Sequence, residues 1–148
     1  MEQRYPLTKQ QEALWVEWKL HPTSTSFNTC VKLRMEGELD VERFHHALKD
    51  VVKFFSSLRV YFVEEKGIPY QTVKEDSDFT LDYQDISVEG APSETPEQRK
   101  QAEKFLEDSL RTPIDLKTFP IIRAGVIKTA PNTYYFIGIV PHLSLIHI

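Results

Sequence analysis

An imidazole titrates near neutral pH, so a histidine at the exit of a buried strand is well placed to act as a general base. This chain carries that arrangement where Tyr134-Tyr135-Phe136-Ile137-Gly138-Ile139-Val140 runs into Pro141-His142. Two other groups could do chemistry. His45-His46-Ala47-Leu48-Lys49-Asp50 places an aspartate four residues after a histidine pair, and Cys30 is the single cysteine. His45 and His46 fall inside a helical pattern that is complete without them. Neighbouring side chains on a helix point about 100° apart, so the pair is not expected to form one site. They also lack a third ligand at useful spacing, which argues against zinc. Cys30 opens a strand and reads as a small buried residue rather than a nucleophile. Being alone, it leaves no internal disulfide and fits a reducing cytosol. His21 is a loop residue with no partner in view, and the carboxylate-rich stretch Glu94 to Asp108 reads as a solvated face.

The elements that must position these groups can be traced from pattern. Hydrophobic residues make up 41% and charged residues 27% of 148 residues, a globular composition. A net charge of -4 argues against a nucleic-acid partner. No apolar run approaches the roughly 18 residues needed to cross a bilayer, and the first residues lack a signal core. Thr8 caps a helix from Lys9 to Lys19 with Leu14, Trp15 and Trp18 on one side. Thr29 to Glu36 alternates as a strand through Cys30 or Val31, Leu33 and Met35. Asp40 caps a helix whose inner face is Phe44, Leu48, Val51 and Val52.

Leu58 to Glu65 and Ile68 to Val73 form a hairpin about Lys66-Gly67. Phe79 to Ile86 is extended, and a loop from Ser87 to Pro96 leads into a helix ending near Leu110. Ile121 to Lys128 and Thr133 to Val140 are apolar strands about Ala130-Pro131-Asn132. Both should be central and buried on both faces, with much of their cover expected from outside this chain. The order gives an α/β (α+β) layered sandwich.

Four stretches in order resemble the N-terminal half of a condensation domain from nonribosomal peptide synthetases. Pro6-Leu7-Thr8-Lys9-Gln10-Gln11-Glu12-Ala13-Leu14-Trp15 with Phe27-Asn28 is similar to the family's S-x-A-Q-x-R-L-W…Y-N opening; Ala13 stands in place of its arginine. Leu58-Arg59-Val60-Tyr61-Phe62 resembles L-R-T-x-F, although Phe54-Phe55-Ser56 replaces the preceding R-H-E. Pro113-Ile114-Asp115-Leu116…Pro120-Ile121-Ile122-Arg123 resembles P-F-D-L…P-L-x-R. Pro141-His142 falls where the family has H-H-x-x-x-D-G.

The resemblance implies a chloramphenicol-acetyltransferase-like half-domain, two such halves meeting at a tunnel. It implies that His142, matching the second histidine, is the catalytic position. There an acyl thioester meets an amine, each delivered on the 4'-phosphopantetheine arm of a carrier protein, with no cofactor bound directly. Arg59 is the structural residue near the site, paired in the family with the motif's aspartate. Here that aspartate is replaced by Ile146 and the glycine by His147. An arginine held without its carboxylate is expected to be costly.

The closing Leu143-Ser144-Leu145-Ile146-His147-Ile148 resembles a translated sequencing-adapter tail. The expected organisation is therefore an incomplete N-terminal subdomain over 1–142 and a foreign segment over 143–148, with no role for His147. The implied function is amide-bond-forming condensation, inactive in this fragment alone. The implied partners are carrier domains and the missing C-terminal half, without nucleic acid or membrane, in the cytoplasm. The alternatives are a standalone CoA-dependent acyltransferase of the same superfamily and a non-catalytic half-domain.

Overall fold

The computed structural model describes residues 2–76 and 78–145. Each long helix begins where a side chain can satisfy its orphan amides. In α1 (Lys9–Leu20), Thr8 accepts from the Gln11 amide while Gln11 accepts from the Thr8 amide, a reciprocal capping box. Asp40 caps α2 (Val41–Phe54) through the Arg43 amide. Thr95 and Gln98 repeat the capping box at α3 (Pro96–Leu110), with Pro96 in the first turn, where a missing N–H does no harm. A 3-10 turn, Ser56–Arg59, follows α2, and a four-residue helix α4, His142–Leu145, ends the described chain.

The strands are β1 (Arg4–Pro6), β2 (Asn28–Glu36), β3 (Val60–Glu65), β4 (Ile68–Val73), β5 (Leu81–Asp85), β6 (Arg123–Ala130) and β7 (Thr133–Pro141). A three-stranded sheet runs β1-β4-β3, and a four-stranded sheet runs β2-β7-β6-β5. The β3–β4 hairpin closes on Lys66 and Gly67, with φ of 52° and 79°, the positive pair that a twisted two-residue turn requires. The other hairpin, β6–β7, is antiparallel. β5 is parallel to β6, and the connection between them contains α3, since parallel neighbours need a crossover.

β6 and β7 are the interior strands of their sheet, as their apolar runs predict. Their cover comes from this chain itself, which corrects the expectation that much of it lies elsewhere. On one face Ile127, Tyr135, Ile137 and Ile139 pack with Ala102, Phe105 and Leu106 of α3, Phe62 of β3 and Trp15 of α1. On the other, Val126, Tyr134 and Phe136 meet Val41, Phe44 and Leu48 of α2. Gly125 lets α3 approach, because a Cβ there would lie 2.8 Å from Phe105 Cζ. Large apolar side chains are exposed instead on the edge strand β2 (Val31, Leu33) and at the end of α2 (Val51, Phe54, Phe55). Val51 is therefore not part of the inner face of α2; Val52, one position on, is.

Glu94 departs from the expected solvated face. Its side chain is 4% exposed. It accepts from Thr129 Oγ1 at 2.7 Å and Tyr135 Oη at 2.9 Å, with Arg99 Nε at 3.1 Å and Arg34 Nη2 at 3.6 Å. Burial pushes its carboxyl pKa up, but the hydrogen bonds from Thr129, Tyr135 and Arg99 outweigh burial and leave it below the ordinary value. A depressed carboxyl stabilises the fold above its unfolded-state pKa and loses that contribution as pH falls through the folded value. Glu94→Gln should therefore lower stability by about 1–3 kcal/mol at pH 7. In urea unfolding, that gap to the parent should close below about pH 4.

Candidate functional site

The register of the four-stranded sheet decides where the histidine stands. β7 pairs antiparallel with β2 along its whole length, ending at Asn28 opposite Pro141. One step further the His142 amide donates to the Phe27 carbonyl at 2.8 Å. The chain then turns into α4, where Ser144 Oγ donates to the Pro141 carbonyl at 2.9 Å. Leu143 and Ser144 are 2% and 3% exposed, and Leu143 belongs to the main core. His142 itself is exposed. Its backbone is anchored on both sides while the imidazole makes no side-chain bond among the described residues. A base or positioning group needs that combination: a fixed origin and a free ring nitrogen.

Two sets of contacts secure this strand end. Asn28 Nδ2 donates to the carbonyls of Leu110 and Thr112, at 3.0 and 3.3 Å, where α3 runs out. Arg123 Nη2 donates to Ser109 and Thr112 carbonyls at the same place. The last carbonyls of a helix lack intrahelical donors and carry partial negative charge, so an amide and a guanidinium satisfy them. These two motif residues thus converge on Thr112. Neither was assigned a role from sequence; the signal was there in the orphan carbonyls that a helix ending at Leu110 must present.

Arg59 ends the 3-10 turn, which lies against α4. Its guanidinium is half-buried and meets backbone rather than a carboxylate. Nε donates to the Val52 carbonyl at 3.2 Å and Nη1 to the Lys74 carbonyl, while Arg59's own carbonyl accepts from the Lys74 amide. The expected cost of an unpaired arginine is thereby offset by peptide oxygens, one of them in the last turn of α2. The position expected to hold the missing aspartate, residue 146, lies outside the described residues, as does His147.

His21, His45 and His46 bond elsewhere than at this turn. His45 Nε2 is 2.8 Å from the Phe79 carbonyl, tying α2 to the segment before β5, and His46 is exposed. Their rings stack loosely at 6.5 Å. Among the described residues no group of three or more histidine, cysteine or acidic side chains could hold a metal. His21 does have a neighbour: Glu17, in the last turn of α1, lies 3.8 Å away, an exposed pair of little energetic weight. Cys30 is half-buried against the main core. The cleft lined by Leu14, Trp18, Phe27, Pro141 and Leu143 offers about 30 Å³, room for roughly two waters and for no substrate arm.

The condensation-domain family matches residues 1–144. The chain belongs to that family. Tyrocidine synthase 3 of Brevibacillus parabrevis is 32% identical over 139 residues, 94% of this chain and 2% of that protein. Isonitrile lipopeptide synthase of Streptomyces coeruleorubidus is 30% identical over 146 residues, 98% of this chain and 10% of that protein. The starter condensation domain of rhizomide synthetase RzmA superposes with a TM-score of 0.82 at 20% identity, covering 95% of this chain and 33% of that one. A similar match, TM-score 0.77 at 21% identity, is made to the first condensation domain of the calcium-dependent antibiotic synthetase, again 33% of that chain. The fold is accordingly that of a condensation domain, over about a third of the length of these solved ones. The family match runs through residue 144, to the buried pair Leu143-Ser144.

Arg59 should matter to this turn through its two carbonyls. Arg59→Met removes both bonds and should destabilise by about 1–3 kcal/mol in urea unfolding. Arg59→Lys should recover less than half of that, since an ammonium lacks the planar fork that reaches two acceptors. Full recovery by lysine would show that charge alone, not the fork, is what the site uses.

Proposed function

We propose that this segment supplies the histidine wall of a condensing enzyme. The reaction is acyl transfer from a carrier-bound thioester to an amine, in nonribosomal peptide synthesis. One observation carries the reading: His142 leaves a central strand with its main chain bound and its ring free, where the sequence resembles the family's H-H-x-x-x-D-G motif. The amine nitrogen attacks the thioester carbonyl, a C–N bond forms and the C–S bond breaks. The imidazole accepts or holds the amine proton while the departing sulfur takes up a proton in turn. Arg59 acts structurally, fixing the 3-10 turn behind α4.

Both reactants would arrive on 4'-phosphopantetheine arms as substrate carriers, with nothing bound as a resident cofactor. The exposed imidazole would meet those arms on its solvent side, against a wall contributed by a C-terminal half. Carrier-protein domains and that second half are the partners this reading requires. Among the described residues no helix is long and apolar enough to cross a membrane, and the lone cysteine suits a cytosolic setting. Residues 143–148 are read as a foreign segment, with Ile146 and His147 standing where the motif has aspartate and glycine.

The test uses a complete condensation domain carrying this segment, with donor- and acceptor-loaded carriers. His142→Ala should lower amide formation by on the order of 10² to 10⁴. Residues 1–148 alone should give no product, because a tunnel enzyme cannot align two substrates with one wall. Turnover by His142→Ala at the parent rate would contradict the assignment.

A further inference from the structure

The carbonyl of Leu143 lies one residue beyond His142, in a helix of four residues. A helix that short leaves its carbonyls without intrahelical donors. Gln11 supplies one: its Nε2 donates to the Leu143 carbonyl at 3.4 Å. Its side chain is also paired reciprocally with Gln71, Nε2 to Oε1 at 3.1 Å and Gln71 Nε2 back to Gln11 Oε1 at 3.3 Å. Gln71 in turn donates to the Pro6 carbonyl at 3.1 Å. Gln11 is 2% exposed, although an amide is an expensive group to bury. The first turn of α1, β1 and β4 are thereby tied to the histidine turn through one side chain.

The capping of α1 does not explain this choice of residue. The capping box uses only the oxygen of Gln11, which accepts from the Thr8 amide at 2.9 Å. Glutamate serves that role equally well. What glutamine adds is the donor, and the donor is aimed at Leu143 O and Gln71. Because the acceptor at Leu143 is backbone, the contact does not depend on which side chain stands at position 143. We propose that Gln11 is a positioning residue for His142, setting the start of α4 and with it the direction of the imidazole. This rests on the reading of His142 given above.

The experiment separates the two roles within the complete domain. Gln11→Glu keeps the capping acceptor and removes the donor; Gln11→Met, of similar size, serves where a buried carboxylate prevents folding. Both should lower kcat by on the order of ten- to a hundredfold, as a small misplacement of a reacting group does. KM for the carrier substrates should stay within about twofold, since no substrate-binding group has been touched. In parallel, the His142 Cε1–H resonance should change from one line to a broadened or doubled one. An unchanged kcat with a single unshifted His142 resonance in the folded variants would overturn the proposal, as would a fall in rate matched by an equal loss of folded protein. If His142→Ala retains turnover, the functional reading fails, while the resonance still reports whether Gln11 orients the ring.

Discussion

The pairing at the end of β7 is the constraint on which the rest of the structure depends. A strand buried on both faces has no freedom in register, because a slip of one residue would turn Tyr135, Ile137 and Ile139 from one core to the other. Asn28 opposite Pro141 therefore fixes the height at which the strand stops. The hydrogen bond from the His142 amide to Phe27 then fixes the first residue beyond it. The hydrophobic sheet thus sets the position from which the His142 side chain leaves the strand.

The charged and polar groups around the sheet serve the ends of elements. Asn28 and Arg123 close the end of α3, and Arg59 closes the last turn of α2 while joining it to the residue after β4. Gln11 joins α1 to α4. Most of these acceptors lie at helix ends, where geometry leaves carbonyls without intrahelical donors, and side chains from other elements meet them. Glu94 does the same for a loop, holding the approach to α3 against Tyr135 of β7 and Thr129 of β6. The turn that carries His142 is therefore held from several sides. The acceptors there are backbone carbonyls, so these contacts do not depend on the side chains that follow Ser144.

Much of this was legible in the sequence. Thr8, Asp40 and Thr95 mark the helix starts, Lys66-Gly67 the hairpin turn, and the unbroken apolar runs the two central strands. His142 at the strand exit followed from the same pattern. What could not be read was pairing at a distance. The three residues Arg4–Pro6 are too few to show a period, and they become a strand only because β4 offers an edge. The parallel pairing of β5 and β6 depends on how α3 crosses the sheet. Glu94 looked like one more carboxylate of a charged helix, because nothing local announces that Thr129 and Tyr135 will surround it. Arg59 looked unpaired because carbonyl partners carry no sequence signature. Gln11, Asn28 and Arg123 stood out as motif letters, yet each donates to backbone carbonyls that no motif records.

Amide hydrogen exchange at His142, read residue by residue in a complete domain, tests the central claim most directly. A main chain held by Phe27 at the end of a doubly buried strand should give His142 protection within about tenfold of Ile139 in β7. Exchange at the rate of an unstructured peptide would contradict it, for the imidazole would then have no fixed origin from which to work.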